Sequence, residues 1–200
     1  MHTDEKEEID WKPTNLKELL TEMKDSSELI VDLAYAALIF NSQEIGEEVA
    51  DLEEDLNKFM YDIRMTAMLA TRTVEDAEQL TGILQVASAT EKISNAARDI
   101  VRLLETEISD RPFLPFMLKE ADEKINMVYI GKNARGLEKN LGEHRFEEMG
   151  VHVIAVKRRK TWIYDPEDHF RLRVGDRVIL RGVMDGVNQF KTALFGGDEA

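Results

Sequence analysis

The stretch "EEVADLEEDLNKFMYDI", Glu47–Ile63, decides how the first half of the chain folds. Val49, Leu52, Leu56, Phe59 and Ile63, with Ile45 just before, recur at alternating intervals of four and three. That spacing draws one apolar stripe along an α-helix. The other face is acidic: Glu47–Asp55 holds six carboxylates in nine residues. Glu44, Glu48, Asp51, Asp55 and Asp62 fall on one flank of the stripe. Residues four apart lie about 6 Å apart along a helix, so like charges there repel unless something positive intervenes.

Two neighbouring segments have the same period. A first helix is expected from about Asn15 to Phe40, with Leu16, Leu19, Leu20, Met23, Ile30, Leu33, Ala37 and Leu38 inward. A third is expected from about Val74 to Glu107, with Leu80, Leu84, Val86, Ile93, Ile100 and Leu104. "NSQE" (Asn41–Glu44) and "TRTVED" (Thr71–Asp76) supply turn and capping residues between them. Three long helices on short connections pack antiparallel.

Beyond "SDRPFLPF" (Ser109–Phe116), which carries two of the chain's four prolines, the pattern changes. Proline ends helices and restricts the residue before it. Charge changes there too. Residues 1–110 hold 26 acidic and 10 basic residues, whereas residues 111–200 hold 14 and 16. This indicates two modules, 14–110 and 120–196. In the second, "INMVYIG" and "VHVIAVKRR" read as strands and "ARGLEKNLGEHRFEEMG" as a helix closed by Gly150. "TWIY" reads as a hairpin partner. "LRVGDRVILRGV" supplies a turn at Gly175–Asp176 and a buried strand, and "DGVNQFKTAL" a short helix capped by Asp185. The expected fold class is α+β: a three-helix bundle followed by a β-α-β-β-β-α domain. In "GVHVIAV", Val151, Val153, Ala155 and Val156 are expected to pack and His152 to point the other way. "KRRK" (Lys157–Lys160) reads as a solvated hairpin tip, the alternative being contact with a phosphate-bearing ligand or with the acidic bundle of a partner.

Composition narrows function. The net charge of −14 argues against binding a phosphate backbone, which needs Lys and Arg to replace counterions, so no nucleic-acid partner is expected. With no cysteine there is neither disulfide nor thiolate chemistry. The apolar run "LAYAALIF" is too short to cross a bilayer, and "MHTDEKEEIDWKP" is no signal peptide, so a cytoplasmic protein that does not span the membrane is expected. No dinucleotide fingerprint, P-loop, nucleophile elbow or zinc-spaced histidine pair is present. No enzyme is expected.

"EEVADLEEDLNKFMYDI" and the later "ATEKISNAARDIV" resemble the three-helix repeat of the PhoU family. Members regulate phosphate uptake, and several bind metal clusters through four-spaced acids. The resemblance makes Glu47, Asp51, Asp55, Glu91, Asn95 and Asp99 candidate ligands for a divalent metal or iron, which prefer oxygen donors. Asn95 stands where the family usually has aspartate. "ARGLEKNL", "MGVHVIAVKRR" and "YDPEDHFRLRVGDRVILRGV" resemble the TrkA-C (RCK-C) domain of potassium-uptake regulators. That resemblance implies a cytoplasmic homodimer, a membrane cation transporter or channel subunit as partner, and a small anionic ligand such as cyclic di-AMP. It makes His152, Val153, Pro166 and Ile130 candidate ligand-binding residues. The expected function is regulation of potassium or cation transport by ligand sensing. The alternative is phosphate signalling or metal binding on the acidic helix faces.

Overall fold

The computed structural model describes residues 15–105 and 121–196. Helix α1 spans Leu16–Ile39, α2 spans Gln43–Ala70 and α3 spans Val74–Arg102, followed by a 3-10 turn at Leu103–Glu105. Each helix begins on a polar cap. The Asn15 side chain accepts from the Lys17 amide, and Ser42 accepts from the Ile45 amide. Thr73 and Asp76 exchange bonds in a capping box. The first two connections are therefore as short as the sequence implied.

The α2 stripe is buried against α1 and α3: Ile45, Val49, Leu56 and Ile63 have almost no exposure. At Gly46 an added Cβ would lie 3.0 Å from Val101 and 3.1 Å from Leu104, so glycine sets the approach of α2 to α3. The six acidic residues of Glu47–Asp55 remain on or near the outside.

The second module holds β1 (Glu123–Tyr129), a one-turn helix α4 (Leu141–His144), β2 (Val151–Arg158), β3 (Thr161–Tyr164), β4 (Arg177–Val183) and α5 (Met184–Phe195). The expected order is met. The first helix of the module, however, is shorter than its leucine spacing suggested. Arg145 and Gly150 both adopt left-handed backbone and stop it, leaving one α-turn and a 3-10 turn at Glu147–Met149. Asp185 is not the cap of α5. Val183 holds that position without a side-chain bond, and Asp185 lies in the first turn, where its charge favours the helix dipole.

The four strands form an antiparallel sheet in the order β1-β4-β2-β3. Both faces are covered. Val128, Val151, Val153, Val156, Val178 and Leu180 pack with α5 through Val187, Phe190 and Leu194. Ile154, Ala155 and Ile179, with Ile125, Met127, Trp162 and Tyr164 at the margin, join the core of the helical bundle. The register shift between Val153 and Ala155 is a bulge. It puts Ile154 and Ala155 on the bundle side and returns Val156 to the α5 side, so β2 is buried almost continuously instead of alternating.

Helix α5 reaches the sheet through Gly186, where an added Cβ would lie 2.2 Å from the Met149 carbonyl oxygen. Gly186→Ala must shift backbone against backbone. A loss of about 2 kcal/mol or more in urea-unfolding stability is the expected outcome.

Candidate functional site

Two features meet at the ends of β2 and β4: a cleft in the sheet domain and a charged seam between sheet and bundle. Strand alternation builds the seam. Arg177, Ile179 and Arg181 share the bundle-facing side of β4, and His152 and Lys157 pair beside these arginines from β2. Glu44, at the start of α2, accepts from Lys157 Nζ and from Arg177 Nη2, the latter at 2.7 Å. Lys157 is buried and also lies over the Trp162 ring, 5.0 Å from its centroid. One turn along α2, Glu48 accepts from the Tyr164 hydroxyl. On α1, Asp32 accepts from Arg181 Nη1 at 2.8 and 3.0 Å.

These contacts move the titrations. The bond from Lys157, supported by Arg177, holds Glu44 below the usual glutamate range. Burial pushes Asp32 up, against the opposing pull of Arg181. Burial first, and then the bond to Glu48, drives the Tyr164 hydroxyl far above its ordinary value, so it stays a donor at all physiological pH.

The basic run Lys157–Lys160 is therefore only half a solvated tip. Lys157 belongs to the seam. Arg158 donates to the buried Asp176 at 2.9 and 2.8 Å and to the Arg171 carbonyl at 2.7 Å. Asp176 is 1% exposed and also accepts from the Arg173 amide, so this expected turn residue is the buried anchor of its loop. Only Arg159, with left-handed backbone, and Lys160 form the exposed tip.

The cleft has a volume of about 180 Å³ and gathers His152, Val153 and Pro166 with Arg145, Phe146 and Asp168. The capping box between Asn140 and Glu143 sets one wall. The opposite wall is tied to it by Leu141 N–H donating to the Phe170 carbonyl and Gly142 N–H to that of Asp168, both at 2.9 Å. Glu147, Glu148, Asp165 and Asp168 also line it, while Arg145 donates to Glu148 at 2.7 Å. The lining of one chain is thus rich in acceptors. His152 Nε2 lies 3.6 Å from Asp165 Oδ1. His152 and Asp165 also line a second hollow of about 120 Å³, which contains Asp32 and Arg181 of the seam. Three of the four candidate ligand residues therefore share one cleft. Ile130 lies apart, fully buried in the core between sheet and α5, its amide donating to the Asp176 carbonyl.

The six candidate metal ligands are not gathered. Glu47, Asp51 and Asn95 are exposed. Asp55 pairs with Lys58 at 3.1 Å, Glu91 with Arg64 at 3.2 Å and Asp99 with Arg102 at 2.8 Å. Among the described residues no group of three or more histidine or carboxylate side chains is arranged to hold a metal. The residues present do not fit such a centre. Sequence reasoning missed Asp32, Glu44 and Glu48 as acceptors from the sheet. The signal was partly there, since Glu44 and Glu48 begin the acidic flank of α2 and Arg177 and Arg181 alternate on one strand face.

With this geometry in view, comparison with known proteins is informative. Residues 20–104 match the PhoU domain and residues 127–194 the TrkA-C domain. The chain carries a PhoU domain followed by a TrkA-C domain. These are regulatory rather than enzymatic domains, and the pair supports a regulatory role in ion transport. No curated protein matches the chain. Two solved chains are similar to it at low identity. One is S. agalactiae BusR in complex with its busA-promotor DNA: 17% identity, 61% of this chain, 66% of that chain and a TM-score of 0.33. The other is S. agalactiae BusR in complex with its busAB-promotor DNA: 13% identity, 74% of this chain, 94% of that chain and a TM-score of 0.33. These complexes correct the expectation that excluded nucleic acid, because proteins similar to this chain are described with promoter DNA. The net charge behind that expectation is an average over two unlike halves, and residues 111–200 carry a net +2. Among the described residues no helix is long and apolar enough to cross a membrane.

The seam has a defined acid response. Because Glu44 is depressed in the folded chain, its contribution is present above the unfolded glutamate value and lost as pH falls through the lower folded one. Asp32, being raised, acts with the opposite sign. Glu44→Gln removes the first component. The expected result is faster amide exchange in β2 and β4 at neutral pH and a flatter stability profile below the usual glutamate range, measured by hydrogen exchange and by urea unfolding against pH.

Proposed function

We propose that this chain is a cytoplasmic regulator of potassium or related cation transport. It senses a small ligand at the cleft of its TrkA-C domain and relays occupancy to its PhoU domain, whose exposed acidic face is available to a transporter subunit. The observation that carries this reading is the position of His152. It lines both the cleft and the hollow that contains the Asp32–Arg181 pair. A ligand that moves this imidazole acts on a contact between the two domains. Such a ligand shifts the domains only by its differential affinity for their two arrangements.

The cleft also constrains the ligand. At about 180 Å³ it falls below the roughly 300–1,000 Å³ of ordinary small-molecule sites. It fits one planar base rather than a whole dinucleotide. The rim carboxylates accept from exocyclic amino groups but repel phosphate. A cyclic dinucleotide such as cyclic di-AMP would therefore seat a base in the cleft and keep its phosphates outside, towards a second copy of the domain.

A thermal-shift titration against cyclic di-AMP, AMP and ATP tests this. The expected result is a rise in melting temperature with cyclic di-AMP, corresponding to about 2.7 kcal/mol at one hundred times Kd. His152→Ala should abolish it. Glu44→Gln should preserve binding while uncoupling it from protection of the seam in hydrogen exchange. Absence of a shift with every nucleotide would refute the sensor reading.

A further inference from the structure

Helix α3 has a second apolar face that the described residues of its own bundle leave largely exposed. Its buried residues are Ala87, Thr90, Ser94 and Ala97. About 110° away around the helix run Val86, Ala89, Ile93, Ala96 and Ile100, with Leu103 next in the 3-10 turn that follows, spaced three, four, three, four and three apart. This is the spacing of a coiled-coil seam. Val86 is 61% exposed, Ile93 43% and Leu103 41%. Ala89 and Ala96 are exposed as well, and Ile100 is half-buried. Near the start of the seam, Val86 also borders a groove of about 430 Å³ shared with Leu20 and Met23 of α1. Gln79–Thr90 contains no charged residue, although it lies in the acidic half of the chain. Burying the start of this face, at Val86 and Ala89, therefore desolvates little charge.

We infer that this face is the docking surface for α3 of a second copy of the chain, packed antiparallel about a two-fold axis near Ser94–Asn95. The seam alternates large and small residues. In an antiparallel pair Ile93 meets Ala96 of the second copy, Ala89 meets Ile100, and Val86 meets Leu103. The two layers on each side of the axis then join one β-branched side chain to one alanine, giving an even helix spacing. A parallel pair would stack Ile93 on Ile93 and Ala96 on Ala96, alternately too wide and too narrow.

Charge selects the same orientation. Lys92 and Asp99 flank the seam on one side, and Lys92 has no ion pair among the described residues. The antiparallel register brings Lys92 beside Asp99 of the second copy twice, once on each side of the axis. The parallel register puts this flank of the two helices on opposite sides of the seam and forms no such pair. Asp99 is held meanwhile only by an exposed contact to Arg102 in the next turn of its own helix, a weak competitor. Such a two-fold contact is self-complementary and closes. It uses the bundle alone and does not depend on the ligand-sensing reading.

The full chain, which has no cysteine, suits a cross-linking test. An oxidised equimolar mixture of Val86→Cys and Leu103→Cys chains is expected to yield a disulfide-linked heterodimer, with neither variant linking efficiently alone. Efficient linking of Val86→Cys to itself would overturn the antiparallel arrangement. Light scattering with size exclusion is expected to show that Ile93→Glu/Ala96→Glu halves the particle mass. Lys92→Asp should weaken association and Lys92→Asp/Asp99→Lys should restore it, with circular dichroism melts verifying that each variant folds. A wild-type chain monomeric at all concentrations, or a mass unchanged in Ile93→Glu/Ala96→Glu, would overturn the proposal.

Discussion

The seating of the sheet on the bundle centres on Glu44. This residue opens α2, and one carboxylate receives both Lys157 of β2 and Arg177 of β4. Those two strands are neighbours in the centre of the sheet. A single acid at the end of a rigid helix therefore fixes where the sheet sits on the bundle. Arg181 with Asp32 and Tyr164 with Glu48 set the remaining rotation. Between these polar points Ile154, Ala155 and Ile179 complete the apolar core of the bundle. The order is physically sensible: apolar contact supplies attraction without direction, and the flanking ion pairs supply direction.

The same arrangement gives the acidic composition a structural use. A row of carboxylates on one helix is costly to hold alone and attracts any cation within reach. Here Glu44 and Glu48 are taken by the chain's own sheet, while Asp55, Glu91 and Asp99 have nearby lysine or arginine partners. The family resemblance drew attention to metal because four-spaced acids are shared by metal sites and by ordinary solvated helices. At three of the six candidate ligands a lysine or arginine of the chain lies beside the acid.

Much of the fold was legible because it rests on local periodicity. The stripe from Ile45 to Ile63, the caps at Asn15, Ser42 and Thr73, and the β-branched strands all announce themselves within a few residues. What stayed hidden depends on partners far apart in sequence. Lys157 looks like any basic hairpin residue until Glu44, 113 positions earlier, lies against it. The irregular apolar set of β2 became intelligible only with its bulge, because a sheet covered on both sides has no polar face to preserve. The helix expected around Leu137–Phe146 failed for a different reason. Leucine spacing alone could not reveal the left-handed residue at Arg145 that turns the backbone away. At the cleft, His152, Val153 and Pro166 were named by resemblance and do converge, whereas Ile130 serves packing.

The sheet order has one further effect, on what the molecule avoids. With β4 and β2 inside, β1 and β3 are the edges among the described strands. Strand β3 is four residues long and follows the cationic turn at Arg159 and Lys160, and β1 starts with Glu123 and Lys124. Short or charged rims are poor templates for another strand. The fold thus discourages edge-to-edge growth into fibrils, the hazard to which a small open sheet is most prone.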